Sequence, residues 1–283
     1  MSTEKAKTLS DELAFLREEV KRLRTALTRQ RGLVMLLRRR GFTIYKKEPA
    51  NDLLLPSKTD LDDYYRMFHK YSFRLFLRDV IKHQDVFALD HVIRYSTPSV
   101  TRRYLDYLQS VKLVKKADQG FVLAKGPIRS FGETLEWYVA EVLKREFGAE
   151  AVWGVKFKRP RVGGDYDVLA QIDNALFYIE VKSSPPKQVY DSEIAAFLDR
   201  VADLAPTIAV FLMDTELRMA DKIVPMFEAE LARRSAYPAP ITRLERELFH
   251  IQDRIFIVNA KESILQNIEK IVSRYYQKTA TLA

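Results

Sequence analysis

Apolar residues near the start of the chain repeat at alternating spacings of three and four: Leu13, Leu16, Val20, Leu23, Leu27, then polar Gln30, then Val34 and Leu37. Held over more than three heptads, that alternation predicts a coiled-coil helix within residues 1–45. A parallel homodimer is its simplest consequence, with Gln30 at a core position fixing register at some cost in stability. A long helix folding back onto its own chain satisfies the same pattern. Arg38-Arg39-Arg40 end the helix before Gly41, by default as a solvated charge run and alternatively as a phosphate-contacting arm. Residues 46–60, with two prolines and mixed polarity, read as a linker.

Helical spacing returns over Tyr64 to His83 and Ala88 to Tyr95. Thr97-Pro98 then supplies an N-cap and a first-turn proline for a helix from Ser99 to Val111. That helix buries Val100, Tyr104, Leu108 and Val111 and turns Arg102, Arg103, Asp106 and Gln109 outward. A strand Val114 to Ala117, a tight Asp118-Gln119-Gly120 turn and a strand Phe121 to Ala124 follow.

Beyond residue 126 the pattern changes to helix, three strands, helix, strand. Gly132 to Phe147 is helical, and its apolar stripe of Val139, Leu143 and Phe147 also carries Glu136. Tyr166 to Gln171 and Leu176 to Lys182 flank a turn-prone Asp173-Asn174 pair and predict a β-hairpin. Ser183-Ser184-Pro185-Pro186 breaks the second strand. Tyr190 to Leu204 reads as an amphipathic helix and Thr207 to Met213 as a buried strand. A helix Glu216 to Arg234, a strand Arg254 to Val258 and a helix Glu262 to Tyr276 complete an α/β domain with a mixed sheet flanked by helices.

The hairpin carries the chemistry. With a two-residue turn, Ile172 opposes Ala175, so Asp167 opposes Glu180 and Asp165 opposes Lys182, all four on one face. Tyr166, Val168, Ala170, Phe177, Ile179 and Val181 form the other, core face. Like charges opposite one another destabilise a strand pair, so Asp167 beside Glu180 calls for a cation between them. Oxygen-only ligands suit Mg²⁺ or Mn²⁺, with waters left for a substrate phosphate. Lys182 would orient or deprotonate an attacking water, or neutralise charge in the transition state.

At these residues the chain resembles the PD-(D/E)XK nuclease superfamily, whose signature is an Asp at the start of one strand and Glu-x-Lys on the next. Asp167 and Glu180-Val181-Lys182 take those places, with Tyr166 where the family's name has proline. The Gly-Gly-Asp-Tyr-Asp and Ile-Glu-Val-Lys-Ser runs are most similar to Holliday-junction resolvases and Mrr-like endonucleases. The resemblance covers roughly residues 128–276 and implies a restriction-endonuclease-like fold, a metal-dependent nuclease and a 5′-phosphate product. It also implies an acidic residue from the preceding helix at the metal, for which Glu136 is the candidate and Glu133 the second. Glu133 is better accounted for as a first-turn acid complementing the helix dipole. Ser183, Ser184 and Gln188 are placed to touch a phosphate, although such residues beside prolines more often form loops.

Composition adds bounds. The chain has no cysteine and four scattered histidines, which removes disulfides and a thiolate zinc site. No apolar run reaches a membrane span and no signal-peptide core is evident, so a cytoplasmic protein is expected. The net charge of +9 is uneven: residues 1–126 hold 26 Lys and Arg against 15 Asp and Glu. Three helices followed by a short basic hairpin resemble a winged helix, in element order alone. In that resemblance Arg102 and Arg103 meet DNA from the third helix, and Lys115, Lys116 and Gln119 flank the wing. The expected organisation is a coiled coil (1–45), a linker (46–60), a winged-helix DNA-binding domain (61–126) and a nuclease domain (127–283). The expected function is a Mg²⁺-dependent DNA endonuclease. Its rivals are a non-catalytic DNA-binding regulator or scaffold that keeps a nuclease-like fold, and an RNA-directed or nucleotide-cleaving enzyme.

Overall fold

A computed structural model describes residues 12, 15–20, 32–158 and 161–281. The chain divides into two compact units, residues 1–43 and 44–283. In the first, residues 15–20 are helical with Phe15, Leu16 and Val20 exposed, and α1 spans Leu33–Arg39. Leu33 and Leu37 of α1 are buried while Val34 is 38% exposed. The coiled-coil positions Leu13, Leu23, Leu27 and Gln30 lie outside the described residues.

The second unit begins with β1 (Ile44–Lys46), where the junction of helix and linker was expected. α2 (Leu61–Phe68), α3 (Tyr71–Lys82) and α4 (Pro98–Ser110) follow, then the antiparallel pair β2 (Val114–Ala117) and β3 (Gly120–Leu123). Next come α5 (Gly132–Phe147), β4 (Glu150–Phe157), β5 (Tyr166–Ile172), β6 (Ala175–Lys182), α6 (Asp191–Leu204) and β7 (Ile208–Met213). The expected order of helix, three strands, helix and strand is therefore present. α7 (Ile223–Arg234), β8 (Ile241–Glu245), β9 (Leu248–Ile251), β10 (Ile255–Asn259) and α8 (Ile264–Thr281) close the unit.

Eight strands form one mixed sheet in the order β1-β4-β5-β6-β7-β10-β9-β8. β6 pairs in parallel with β7, and β7 with β10; the other neighbours are antiparallel. Every residue of β7 is buried, which is why its sequence is uninterruptedly apolar. Successive residues of β6 face opposite sides. Phe177 meets Tyr275 of α8 on one side; Tyr178 meets Phe197 of α6 on the other, where Phe197, Phe211 and Phe227 form an edge-to-face cluster. α5 covers the Phe177 side, packing Val139, Val142 and Leu143 into the core.

Several expected elements are shortened or broken, each for a visible reason. The run Tyr64 to His83 splits at His69-Lys70 because the Phe68 carbonyl accepts from the Arg74 guanidinium, and His69 Nδ1 meets the Tyr138 hydroxyl at 3.0 Å. Ala88 to Tyr95 keeps only a 3₁₀ turn at Leu89–His91. Phe87 is held extended by two 2.8 Å backbone bonds to Phe121, over Gly120, where a Cβ would lie 2.5 Å from the Phe87 carbonyl oxygen. α7 starts at Ile223 rather than 216: the backbone before it is pinned elsewhere, Leu217 O by Asn259 and Met219 N by Glu247. The hairpin of β8 and β9 was not anticipated.

α3 is tied to the sheet through Asp214, the residue after β7. Asp214 is fully buried, and its amide donates to Lys182 O at 2.8 Å. Its carboxylate accepts from Arg74 at 2.9 Å and from Arg78 at 3.3 Å. Removing one partner of a buried pair strands the other charge. Asp214→Ala is expected to lower unfolding free energy by about 3–5 kcal/mol in urea titration; a loss under about 1 kcal/mol would mean that the two guanidiniums find other partners.

Candidate active site

The hairpin register is the one the sequence predicts: β5 and β6 pair from Ile172↔Ala175 to Val168↔Ile179 around the Asp173-Asn174 turn. There the paired ladder ends. One residue further out, the Asp167 carboxylate accepts the Val181 N–H at 2.7 Å, so a side chain takes a position a backbone carbonyl would hold. The pleat also turns over at this point. Tyr166, expected on the core face with Val168, instead lies against Tyr178 with ring centroids 5.2 Å apart, on the α6 side. Beside it in β4, Gly154 has φ +56, and a Cβ there would sit 2.5 Å from Pro49 Cδ and 3.8 Å from Glu136 Oε2. The missing side chain is what lets residue 49 and the Glu136 carboxylate both approach the strand.

Glu180 and Lys182 share the face covered by α6. Glu180 is 2% exposed and its carboxylate is fully engaged. Oε1 accepts from Arg200 Nη2 at 2.8 Å and Lys182 Nζ at 3.0 Å, and Oε2 accepts from the Tyr178 hydroxyl. Arg200 Nε in turn donates to that hydroxyl at 2.7 Å. Lys182 Nζ also meets Glu193 at 2.9 Å. Burial would depress the Lys182 pKa, but Glu180, Glu193 and Asp167 outweigh it and hold the ammonium above its ordinary value. Lys182 is therefore a firmly protonated group.

Asp167, Glu180 and Glu136 crowd one another. Burial first, then the Glu180 and Glu136 carboxylates, push the Asp167 pKa well above the usual range. Burial, then Glu133, Glu180 and Asp165, push Glu136 up to about 8, against the Gly154 backbone bond that lowers it. Four carboxylates (Glu136, Asp167, Glu180, Glu193) thus face two cations (Lys182, Arg200). When all are ionised, two positive charges are lacking. The donors are all oxygen, which fits a hard divalent ion that binds through one or two carboxylates and keeps its waters. Among the described residues no group of three His, Cys, Asp or Glu stands close enough to enclose an ion by itself.

The other expected site residues fall elsewhere. Asp165 is drawn to Lys156 at 2.8 Å on the exposed rim, although its charge still reaches Glu136. Glu133, in the first turn of α5, has its Oε2 buried with no hydrogen-bond partner among the described residues, and burial raises its pKa. Arg102 and Arg103 are exposed on α4, Lys115 and Lys116 on β2, and Gln119 in the turn after it. Arg200, Tyr178 and Glu193 were missed. The signal for Arg200 was present: it interrupts the apolar stripe of Phe197 and Leu204 at helical spacing, as Glu136 does in α5.

No protein-family model matches the chain, and no curated protein matches it. Among solved structures it is similar to Can2 from Sulfobacillus thermosulfidooxidans in complex with cyclic tetra-adenylate, with TM-score 0.50, 15% identity, and coverage of 86% of this chain and 60% of that one. It is likewise similar to protein VC1899 from Vibrio cholerae, with TM-score 0.50, 14% identity, and coverage of 86% and 61%. The likeness is one of fold, and the chain spans about 60% of the length of these structures. Among the described residues no helix is long and apolar enough to cross a membrane.

A carboxyl whose pKa rises on folding holds a proton that the unfolded chain releases. Its contribution is present at low pH and is lost as pH rises from 4.5 to about 8. In chelator, Glu136→Gln is therefore expected to melt roughly 2–4 °C above wild type near pH 8, an effect of about 1 kcal/mol. The two should melt together at pH 4.5. A variant less stable than wild type near pH 8 would mean the protein itself already satisfies the Glu136 charge.

Proposed function

We propose that this chain is a metal-dependent DNA endonuclease of the PD-(D/E)XK type. The observation that carries it is the gathering of Asp167, Glu180, Lys182 and Glu136 where the β5–β6 ladder opens. Asp167 and Glu180, joined by Glu136, would hold Mg²⁺ or Mn²⁺, which when bound supplies a Lewis acid and a more acidic water. Lys182, kept protonated by its three acid neighbours, acts on the phosphate oxygens as a fixed positive charge rather than as a base. Arg200 and Tyr178 orient Glu180 from behind, and Asp165 on the rim is a further acid near the substrate's path.

The DNA assignment rests on the basic front part of the chain. Element order from α3 to β3, with the Phe87–Phe121 bridge as a third short strand, supports a winged helix presenting Arg102, Arg103, Lys115, Lys116 and Gln119. Dimerisation through residues 1–45 belongs to the same reading.

A second reading is favoured by one observation. Both Glu180 oxygens are occupied by protein donors, as in a non-catalytic, nucleic-acid-binding scaffold that retains a nuclease-like fold. The cyclic tetra-adenylate bound to Can2 contains the phosphodiester linkage that DNA also has, so it belongs in the test as a competing ligand.

Incubation with linear, branched and supercoiled DNA in Mg²⁺ or Mn²⁺ is expected to give 5′-phosphate ends, with Asp167→Ala and Lys182→Ala each at least about 10²-fold slower. Equal cleavage by wild type and both variants rejects this site. Absence of cleavage, together with no Glu180-dependent heat on Mg²⁺ titration, selects the scaffold. Replacing Lys115 and Lys116 together by Ala is expected to reduce the slope of log K against log salt on duplex DNA by about 2; an unchanged slope removes this face from the interface.

A further inference from the structure

A groove of about 790 Å³ runs from α3 to the segment that follows β6. Arg78, Lys82, Arg94 and Arg129 line it against two carboxylates, Asp79 and Glu216. Ser183, Ser184 and Gln188 form its opposite wall, beginning one residue after Lys182. That wall follows directly along the chain from Lys182, which belongs to the carboxylate cluster.

Its positive charge is built in. Asp214 is one carboxylate serving two guanidiniums, Arg74 and Arg78, so one positive charge there has no acid of its own. Arg78 is held from both sides: Nη2 lies 3.3 Å from Asp214 O and Oδ2, and the guanidinium stands 5.9 Å above the Phe131 ring. Its Nε is buried with no hydrogen-bond partner among the described residues. Asp79, buried beneath Arg94, His83, Lys82 and Arg78, is pushed toward its neutral form by burial, and this weakens its hold on those cations. Tyr71 and Thr215 also line it. Tyr95 at the mouth is 50% exposed.

Cations along a track with an open aromatic face match the chemistry of unpaired nucleic acid, whose bases stack while its phosphates follow the charges. We propose that this groove binds a single strand of DNA flanking the phosphate to be cleaved. Its place next to the cleavage site rests on the nuclease reading of Asp167, Glu180 and Lys182; the binding itself does not. The groove is separate from the exposed α4 and β2 residues expected to meet duplex DNA.

The test is fluorescence anisotropy of labelled oligonucleotides in chelator, so that binding is read whether or not the protein cleaves. The full chain is compared with Lys82→Ala, Arg94→Ala and Tyr95→Ala, all at exposed positions, and with Lys58→Ala as an exposed charge control. Lys82→Ala and Arg94→Ala are each expected to reduce the salt slope for single-stranded DNA by about 0.7. Tyr95→Ala is expected to weaken that binding about tenfold, with Lys58→Ala unchanged. Single-strand affinity unmoved by all three groove variants overturns the proposal. So does an equal loss on duplex, or tighter binding of RNA than of DNA. A failed cleavage assay alongside these binding losses rejects the nuclease reading and leaves the groove standing.

Discussion

A carboxylate in the middle of a covered sheet has to be compensated, and the arrangement of this protein follows from how Glu180 is. Burying an unpaired carboxylate is too costly for a marginally stable fold, so charged partners must be within reach. Arg200 supplies one from α6, Lys182 another from the same strand, and Tyr178 completes the shell. This fixes α6 over β6 with Phe197 against Tyr178 and Glu193 at Lys182. Because Glu180 consumes the nearby cations, Asp167 and Glu136 are left with little beyond a backbone N–H each. Burial first, and then the neighbouring carboxylates, raise both of their pKa values.

Much of this was legible in residues alone. The hairpin register follows from a two-residue turn and period-two alternation as far as Val168↔Ile179, and the expected pairings of Asp167 with Glu180 and Asp165 with Lys182 lie beyond that ladder. Thr97 does cap α4, accepting from Val100 N at 3.4 Å, with Pro98 in the first turn. The apolar run of β7 could only be a central strand. What periodicity missed depends on distant partners. Nothing local says that Arg74 will reach back to the Phe68 carbonyl and break a helix, or that Phe121 will hold Phe87 extended. Arg200 carries the same signal that singles out Glu136 in the sequence: a charged residue on an apolar stripe is solvent-facing only if the stripe is, and neither stripe is.

The turnover at Tyr166 shows where strict alternation fails. Alternation holds while a ladder holds, and this ladder stops at Val168↔Ile179. Past that point β5 continues against β4, with Val155 opposite Tyr166, while β6 stays paired with β7 out to Lys182. The strand is free to rotate its side chains, so Tyr166 joins the α6 side while Asp167 caps Val181. In open α/β sheets ligands characteristically occupy the crevice outside the carboxyl ends of strands.

Two opposite charge imbalances meet at that edge. Lys182 ends β6 beside Glu136, Asp167, Glu180 and Glu193, where acids outnumber cations; its carbonyl accepts the amide of Asp214, where two arginines share one acid. A structural ion pair would be expected to let the neighbouring surpluses cancel, yet the buried Arg74 and the half-buried Arg78 are committed to Asp214 and Arg200 to Glu180. Each imbalance therefore persists within the fold. The two regions are joined by one backbone hydrogen bond, from the Asp214 amide to the Lys182 carbonyl.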